Sequence, residues 1–417
     1  MATIILVLIL IDLLAWKGVR MLTSGMENTR MKKVWRGVFM GITLAFYILL
    51  TGVILLHPDG RDARLIRMDY SVAGIFLAIY VSKFVFVVFH VIEDIGWGIL
   101  TAFRKVTKNS RKKNAKKVER ISRRKFVSQA GLVLAGIPFA SLIYGMTKGR
   151  FNFKVYRRTL DFAELPPSLN GLKIVQISDL HLGSMYGFQY EFNRVIDMIH
   201  AEVPDILFFT GDMVNYYTEE VNGWRKIFKR LHAPMGKFAI LGNHDYGDYY
   251  HWNSPQEKED DHLRLIETIR DMGFDLLLNE NRRLCKKDTG FTVIGIENWG
   301  KPPFPQYGDL KEAMKGIHEG DFNILLSHDP THWDAQVLGK TNIPLTLSGH
   351  THGMQFGVRM GGKEWSPASM VYKRWGGLYR ENNQMLYVNR GLGYIGYPGR
   401  VGMPPEITVL TLKKSSF

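Results

Sequence analysis

Four long apolar stretches dominate the first 150 residues. They cover residues 3–16, 37–56, 72–92 and 126–146. A helix needs about 20 apolar residues to cross a bilayer, so the last three stretches predict spans, and the short first stretch, which contains Asp12, predicts a marginal one. Lys83 interrupts the third stretch, and we expect it to pack among the helices or to reach the membrane surface; a functional role of this ionisable residue is the alternative. The pattern predicts an all-α transmembrane region of three helices in residues 1–103 and a fourth span or signal anchor at 126–146.

After residue 150 the apolar runs become short and alternate with amphipathic helical patterns. Runs such as residues 172–177, 205–209 and 344–347 are mostly apolar and do not alternate strictly with polar residues, which is typical of strands that are covered on both faces. Residues 222–232 and 311–318 predict helices between such strands. We therefore predict a second domain of α/β class over residues 151–417.

The basic excess of the chain lies beside the apolar stretches. The formal net charge is +15, and residues 1–150 hold 24 Lys and Arg against eight Asp and Glu, whereas residues 151–417 are close to neutral. This distribution indicates a membrane protein with basic loops on one side. It argues against a nucleic-acid partner, because such affinity depends on Lys and Arg that neutralise phosphates. The single cysteine, Cys285, excludes an intramolecular disulfide and argues against a thiolate metal site.

The loops also predict a topology. Residues 17–36 hold six Lys and Arg, and the linker 104–125 holds twelve with one acid, whereas residues 57–70 hold three Arg and three Asp. The positive-inside rule places the two basic loops in the cytoplasm, so we expect a multi-pass protein of the inner (plasma) membrane with its second domain on the outer face. Arg123-Arg124 is either a twin-arginine export signal or a basic helix flank, and both interpretations send the second domain outward.

Five polar clusters follow apolar runs of the second domain. They are Asp179-Leu180-His181, Gly211-Asp212, Gly242-Asn243-His244-Asp245, His328 and Gly349-His350-Thr351-His352. Ligands of open α/β sheets bind beyond the carboxyl ends of the strands, so we expect these side chains to converge. Carboxylate, amide oxygen and imidazole suit divalent ions such as Mn, Fe or Zn, and two such ions can clamp the oxygens of a phosphoryl displacement. The clusters therefore predict a two-metal site.

The identity and order of these clusters resemble the calcineurin-like metallophosphoesterase superfamily over residues of about 171–412. The segments 389–391 and 404–407 are further similar to a bacterial membrane-associated branch that resembles UDP-2,3-diacylglucosamine hydrolases. The resemblance implies a four-layer α/β/β/α sandwich behind the transmembrane region. It implies one metal ion held by Asp179, His181, Asp212 and His352, and another held by Asp212, Asn243, His328 and His350.

The catalytic acid is assigned within the third cluster. His244 follows the ligand Asn243, and we expect it to protonate the leaving alkoxide, although a hydrogen bond that only holds the loop is the alternative. The family often has a carboxylate at the position of Asn215 to orient this histidine. Because an amide stabilises the imidazolium less well, Asp245 is the alternative partner of His244.

Three further residues are candidates for substrate binding. Asn389 and Arg390 precede a glycine and can meet a substrate phosphate, since arginine presents two parallel donors to such oxygens. A structural role that closes the sheet is equally open for both. Tyr186 follows the first ligand pair and either lines the pocket or packs in the core.

These features predict a membrane-anchored enzyme that uses metal-bound hydroxide to hydrolyse a phosphodiester, pyrophosphate or phosphomonoester. Anchoring to the bilayer favours a lipid-linked or cell-envelope substrate. Two alternatives stay open: a nuclease or nucleotide phosphodiesterase that uses the same metals, and a metal-binding sensor without activity.

Overall fold

The computed structural model describes residues 2–56, 63–106, 113–286, 289–318 and 320–415. The side chains of the basic segment 104–125, and with them the proposed signal Arg123-Arg124, lie outside this description. The chain divides into two units, one of residues 1–58 and 71–144 and the other of residues 59–70 and 145–417.

The first unit is helical. Its helices are α1 (Ala2–Leu22), α2 (Thr29–Leu56), α3 (Ala63–Val106) and α4 (Lys113–Thr147). Within the described residues, three helical segments are long and apolar enough to cross a membrane: Thr29–Gly52, Leu65–Phe103 and Phe126–Phe151. Helix α1, which contains the marginal stretch 3–16, is not one of them, so its crossing of the bilayer stays a prediction.

A polar cluster ties three of these helices together. The Nζ of Lys83 lies 2.6 Å from Oδ1 of Asp12 and donates to Oγ1 of Thr43 at 3.0 Å. The hydroxyls of Tyr47 and Tyr80 both donate to Oδ2 of Asp12, at 2.9 and 2.8 Å. Lys83 therefore packs inside the helical unit as an ion pair, because a charge among apolar helices is stable only when it is paired.

The second unit contains two six-stranded sheets and a small hairpin. The first sheet has the order β1 (Lys154–Phe162), β14 (Glu406–Lys414), β2 (Lys173–Ile177), β3 (Ile206–Phe209), β4 (Lys237–Ala239) and β5 (Asp275–Leu276). Strands β2 to β5 are parallel, and β14 is antiparallel to β2. The chain thus builds a mixed sheet whose parallel part comes from strand–helix alternation.

The second sheet is also mixed. Its order is β12 (Gly377–Glu381), β13 (Gln384–Val388), β9 (Leu345–Ser348), β8 (Phe322–Leu326), β7 (Thr289–Gly295) and β6 (Glu280–Lys286). The two edge strands are antiparallel to their neighbours, and the four inner strands are parallel. The hairpin of β10 (Val358–Met360) and β11 (Lys363–Trp365) pairs separately.

Apolar side chains of both sheets form one buried cluster. Ile174 and Phe208 of the first sheet belong to it together with Val293, Ile324 and Leu347 of the second. Opposite faces of the sheets pack against helices α5 (Gln189–Ala201), α6 (Arg225–Lys229), α7 (Pro255–Asp271) and α8 (Leu310–Ala313). This is the expected four-layer α/β/β/α sandwich, and it explains why the inner strands are apolar at successive positions.

Two predicted helices are shorter than their patterns indicated. Only residues 225–229 of the predicted helix 222–232 are α-helical, and only residues 310–313 near the predicted helix 311–318 are. Both segments are connections on the outside of a sheet, where tertiary packing overrides local propensity.

Candidate metal centre

The five polar clusters lie where five parallel strands end. Strands β2, β3 and β4 lead to Asp179, Asp212 and Asn243, and β8 and β9 lead to His328 and His350. Asp179, Asp212 and His350 have φ of 52°, 60° and 73°, which turns the chain sharply after the strand. This is the region that Asp, Asn and His tolerate better than most other residues with a Cβ.

One group of donor atoms comes from Asp179, His181, Asp212 and His352. Each offers one ligand atom, and these atoms lie within 4.8 Å of one another. The Nε2 atoms of His181 and His352 are 3.0 Å apart, and the Nε2 of His352 lies 3.2 Å from Oδ1 of Asp179. All four residues are buried.

A second group shares Asp212 with the first. Asp212, His328 and His350 also place one ligand atom each within 4.8 Å, and the Nε2 of His328 lies 3.2 Å from Oδ2 of Asp212. Asn243 joins this group, since its Oδ1 is 2.8 Å from Nδ1 of His350. All seven residues expected to ligate metal are therefore brought together, with Asp212 between the two groups.

The electrostatics of the two groups favour a bound cation. Burial opposes a charge on His328, yet the carboxylate of Asp212 raises the pKa of this histidine to about 10. Burial lowers the pKa of His181, which keeps it as the neutral imidazole that binds metals. Burial likewise opposes ionisation of Asp212, but His328 and His244 hold the pKa of this carboxyl well below its usual range. The carboxylate of Asp212 thus stabilises positive charge at His328, and the donor set of the two groups fits a borderline or hard divalent ion.

His244 borders the first group and is oriented by the backbone. Its Nδ1 lies 2.8 Å from the carbonyl oxygen of Asn215, whereas the side chain of Asn215 donates to Oγ of Ser184 at 2.8 Å. The ring of His244 stacks obliquely on Tyr249, with centroids 4.6 Å apart. Residue 215 therefore orients His244 through its backbone carbonyl, which any residue type supplies. The replacement of the family's carboxylate by Asn215 consequently matters less than the sequence indicated.

The side chain of Asp245 is turned toward the backbone of the loops that carry Asp212 and Asn243, which we call the metal loops. Its Oδ2 accepts from the amides of Asp212 and Gly242, each at 2.9 Å, and its Oδ1 accepts from Met213 at 2.8 Å and Val214 at 3.2 Å. Burial and the charge of Asp212 raise the pKa of Asp245 to about 7, while the backbone donors oppose this shift. These contacts indicate that Asp245 fixes the two loops that carry Asp212 and Asn243. This role does not require a contact with His244.

The three substrate-binding candidates have other contacts. The Nδ2 of Asn389 donates to Oγ1 of Thr408 at 2.8 Å, and Arg390 forms ion pairs with Glu406 at 2.6 Å and with Glu364. These contacts favour the structural alternative for both residues. Tyr186 is half-buried, and its carbonyl accepts from Arg67 at 3.0 Å.

The structure also places residues at the site that the sequence analysis missed. The hydroxyl of Tyr372 lies 3.0 Å from Nε2 of His350, and Arg400, fully buried, has its Nη2 3.2 Å from Nδ1 of His352. The buried Glu220 accepts from the amides of Gly183, Asn215 and Tyr216. Asp329 also belongs here, since its Oδ2 lies 3.6 Å from Nε2 of His350. It follows His328 directly, so its position was a usable signal, whereas the other three residues lie in unremarkable sequence.

Two family models match the chain. The model described as "Calcineurin-like phosphoesterase" matches residues 172–354, and the model described as "Probable Calcineurin-like phosphoesterase, transmembrane domain" matches residues 1–150. The first covers the five polar clusters and the second covers the helical unit.

Relatives of the chain include proteins named as metallophosphoesterases. The chain is 30% identical over 311 residues to the uncharacterized metallophosphoesterase YkuE of Bacillus subtilis (strain 168), which is 72% of this chain and 100% of that protein. It is 29% identical to a transmembrane protein with metallophosphoesterase domain of Danio rerio, over 68% of this chain and 63% of that protein. It is 30% identical to the UDP-2,3-diacylglucosamine pyrophosphatase LpxG of Chlamydia trachomatis, over 58% of this chain and 84% of that protein.

Proposed function

This chain belongs to the calcineurin-like phosphoesterase family and is a membrane-associated metallophosphoesterase, and from this premise we propose that it hydrolyses a lipid-linked phosphodiester or pyrophosphate of the cell envelope at a two-metal site. The observation that carries the proposal is the pair of buried donor groups that share Asp212. One shared carboxylate between two groups of ligands is the arrangement that holds two cations close together.

The membrane unit supports a lipid-linked substrate. Helical segments long and apolar enough for a bilayer precede the catalytic domain, and the last of them ends at Phe151, next to β1. A domain tethered in this way meets membrane lipids at high effective concentration. The relative LpxG, a UDP-2,3-diacylglucosamine pyrophosphatase by name, supports a nucleotide-linked diacyl sugar as the first substrate to test.

We assign the metal-holding residues by their positions. Asp179, His181, Asp212 and His352 hold one ion; Asp212, Asn243, His328 and His350 hold the other. Bound divalent ions supply Lewis acidity at the phosphoryl oxygens and make hydroxide available from water at neutral pH. The carboxylates offset the charge of the ions, and the surrounding apolar core keeps bulk water away from the ligands.

His244 is the proposed proton donor to the leaving oxygen. The Nδ1–H of His244 donates a hydrogen bond to the Asn215 carbonyl, so the ring gives and takes protons at Nε2. Asp245, which fastens the loops on either side of His244, keeps the ring in place without touching it. His244→Asn should retain metal and lose turnover by about 10²–10⁴-fold.

The test uses the full chain in lipid nanodiscs with Mn²⁺. We expect metal-dependent release of uridine monophosphate from UDP-2,3-diacylglucosamine, faster than hydrolysis of bis-p-nitrophenyl phosphate or DNA, and no activity in Asp212→Asn. Preferred cleavage of DNA, with binding that falls steeply as salt rises, would instead establish the nuclease. Bound Mn²⁺ without hydrolysis of any of the three substrates would establish the sensor.

We further propose that the catalytic domain lies on the outer face of the plasma membrane. The loop charges support this orientation, because residues 17–36 and 104–125 are strongly basic and residues 57–70 are balanced. A catalytic domain outside would act on envelope lipids of the outer leaflet.

A further inference from the structure

A cluster of exposed apolar side chains follows the last metal-binding histidine. Six large apolar residues between 354 and 371 are exposed. They are Met354, Val358, Met360, Trp365, Met370 and Val371. Between residues 145 and 417, the other exposed large apolar residues that the structure describes are scattered: Tyr190, Val203, Tyr249, Leu263 and Tyr307. We call residues 354–371 the apolar segment; soluble surfaces rarely concentrate such side chains without a partner.

The segment has the composition of an interfacial surface. Its two most exposed apolar side chains, Met360 and Met370, are 74% and 80% exposed. A lysine lies three positions after each of them: Lys363 after Met360 and Lys373 after Met370. Trp365 lies on the same hairpin. Exposed apolar side chains with a tryptophan and lysines are characteristic of surfaces that rest in the headgroup region of a bilayer.

The hairpin lies close to the point where the chain leaves its last candidate span. It shares a cavity of about 370 Å³ with the beginning of β1. The lining residues are Lys154, Val155, Tyr156, Arg359, Glu364, Gly402, Met403 and Pro404. The last candidate span ends at Phe151, three residues before Lys154, a path of about 10 Å at most. A bilayer crossed by that span is therefore within reach of the hairpin.

The apolar segment is also bonded to the metal-binding loop. The Oγ of Ser366 donates to the carbonyl of Gly353 at 2.6 Å, next to His352. The residue after the segment, Tyr372, has its hydroxyl 3.0 Å from Nε2 of His350. A membrane that binds the apolar segment is therefore also held at a fixed distance from the metal centre.

We propose that the apolar segment, residues 354–371, docks on the bilayer, with Met360, Trp365 and Met370 in the headgroup region and Lys363 against anionic headgroups. The metal centre then faces lipids that remain in the membrane, and the substrate need not leave it. The docking itself does not require the substrate assignment; only this last consequence rests on the proposed function.

The test measures depth in the membrane and needs no activity. In a Cys285→Ser background of the full chain, Met360→Cys and Met370→Cys are labelled with an environment-sensitive fluorophore and placed in nanodiscs of phosphatidylethanolamine and phosphatidylglycerol. Tyr190→Cys, an exposed position on α5 that is 83% accessible, is the matched control. We expect brominated lipids to quench the probes at 360 and 370, and aqueous iodide to quench the probe at 190.

Two outcomes would overturn the proposal. Probes at 360 and 370 that iodide quenches as readily as the probe at 190 would show a surface in water. Probes shielded from iodide but not quenched by brominated lipids would show a protein partner in place of the bilayer. Adding Lys363→Glu should reduce lipid quenching at 360 in anionic nanodiscs, and unchanged quenching would contradict the headgroup contact. Since hydrolysis is not measured, failure here is distinct from failure of the proposed function.

Discussion

Asp245→Asn tests whether this carboxylate fixes the metal loops or assists His244. The carboxylate accepts four backbone amides, two at each oxygen. An asparagine keeps one of these oxygens and replaces the other by an NH₂ group, which cannot accept. Two buried amides therefore lose their acceptor, at about 1–3 kcal/mol each, and we expect a destabilisation of about 2–6 kcal/mol. For a domain of this size that corresponds to a loss of roughly 5–20 °C in Tm.

The assay follows unfolding of the full chain in detergent by tryptophan fluorescence, together with metal content and turnover of bis-p-nitrophenyl phosphate. Asp245→Asn should lower Tm, metal content and turnover together. His244→Asn should leave Tm and metal content unchanged and lower only turnover. Asp271→Asn removes an exposed carboxylate paired with Lys229 at 2.9 Å, and this control should leave Tm close to that of wild type, because exposed ion pairs contribute little to stability.

One combination of results would contradict the loop-fixing role of Asp245. If Asp245→Asn keeps the wild-type Tm and metal content while turnover falls as far as in His244→Asn, Asp245 acts on the proton donor. The four amide bonds would then contribute little, and the loop-fixing role would be wrong.

Four further predictions follow from named contacts. Asp212→Asn should abolish turnover and lower metal content at both groups, measured by mass spectrometry of bound metal; full retention of two ions would contradict the shared ligand. Glu220→Gln should cost about 1–3 kcal/mol, because the amide oxygen keeps the Gly183 and Asn215 donors while the NH₂ group faces the amide of Tyr216, and hydrogen exchange at Tyr216 should accelerate; unchanged exchange would contradict this. Burial lowers the pKa of His332 to about 4, so the unfolded chain binds this proton more tightly and stability is lost as the pH falls from 6.5 toward 4. Between pH 7 and pH 5 the free energy of unfolding of His332→Gln, measured by urea denaturation, should therefore fall by about 2 kcal/mol less than that of wild type. An equal fall in both proteins would contradict this role of His332. A reporter fused after Phe417 should be active only outside the cytoplasm, and cytoplasmic activity would reverse the topology.

The inner strands and the residues of the two donor groups were predictable because their signals are local. An apolar run followed within a few residues by Asp, Asn or His marks a strand and the polar side chain beyond its end, as at β3 and Asp212. Parallel strands then bring such ends to one edge of a sheet. The convergence of seven ligands therefore needed no knowledge of distant contacts.

The supporting residues were not predictable, because their partners are distant or are backbone atoms. Asp245 binds amides 31 to 33 positions away, and Arg400 reaches His352 across 48 positions. Backbone amides carry no sequence signal, so Asp245 next to His244 suggested a side-chain partner. The hairpin of β10 and β11 has the exposed pattern of a loop, and its position beside the beginning of β1 is not visible in the sequence.

Backbone strain and hydrogen bonding explain why the metal centre needs these supports. Asp179, His181, Asp212, His350 and His352 all have left-handed φ, between 45° and 73°, which costs an L-residue about 1–2 kcal/mol each. Such conformations persist only where surrounding contacts impose them. Here each loop bonds the next: the amide of Asp179 donates to Gly211, that of His350 to the carboxylate of Asp179, and that of Asp212 to Asp245. Asp and His thus serve twice, since they tolerate the left-handed turn and carry the donor atoms, and the loops can adopt their shape only together.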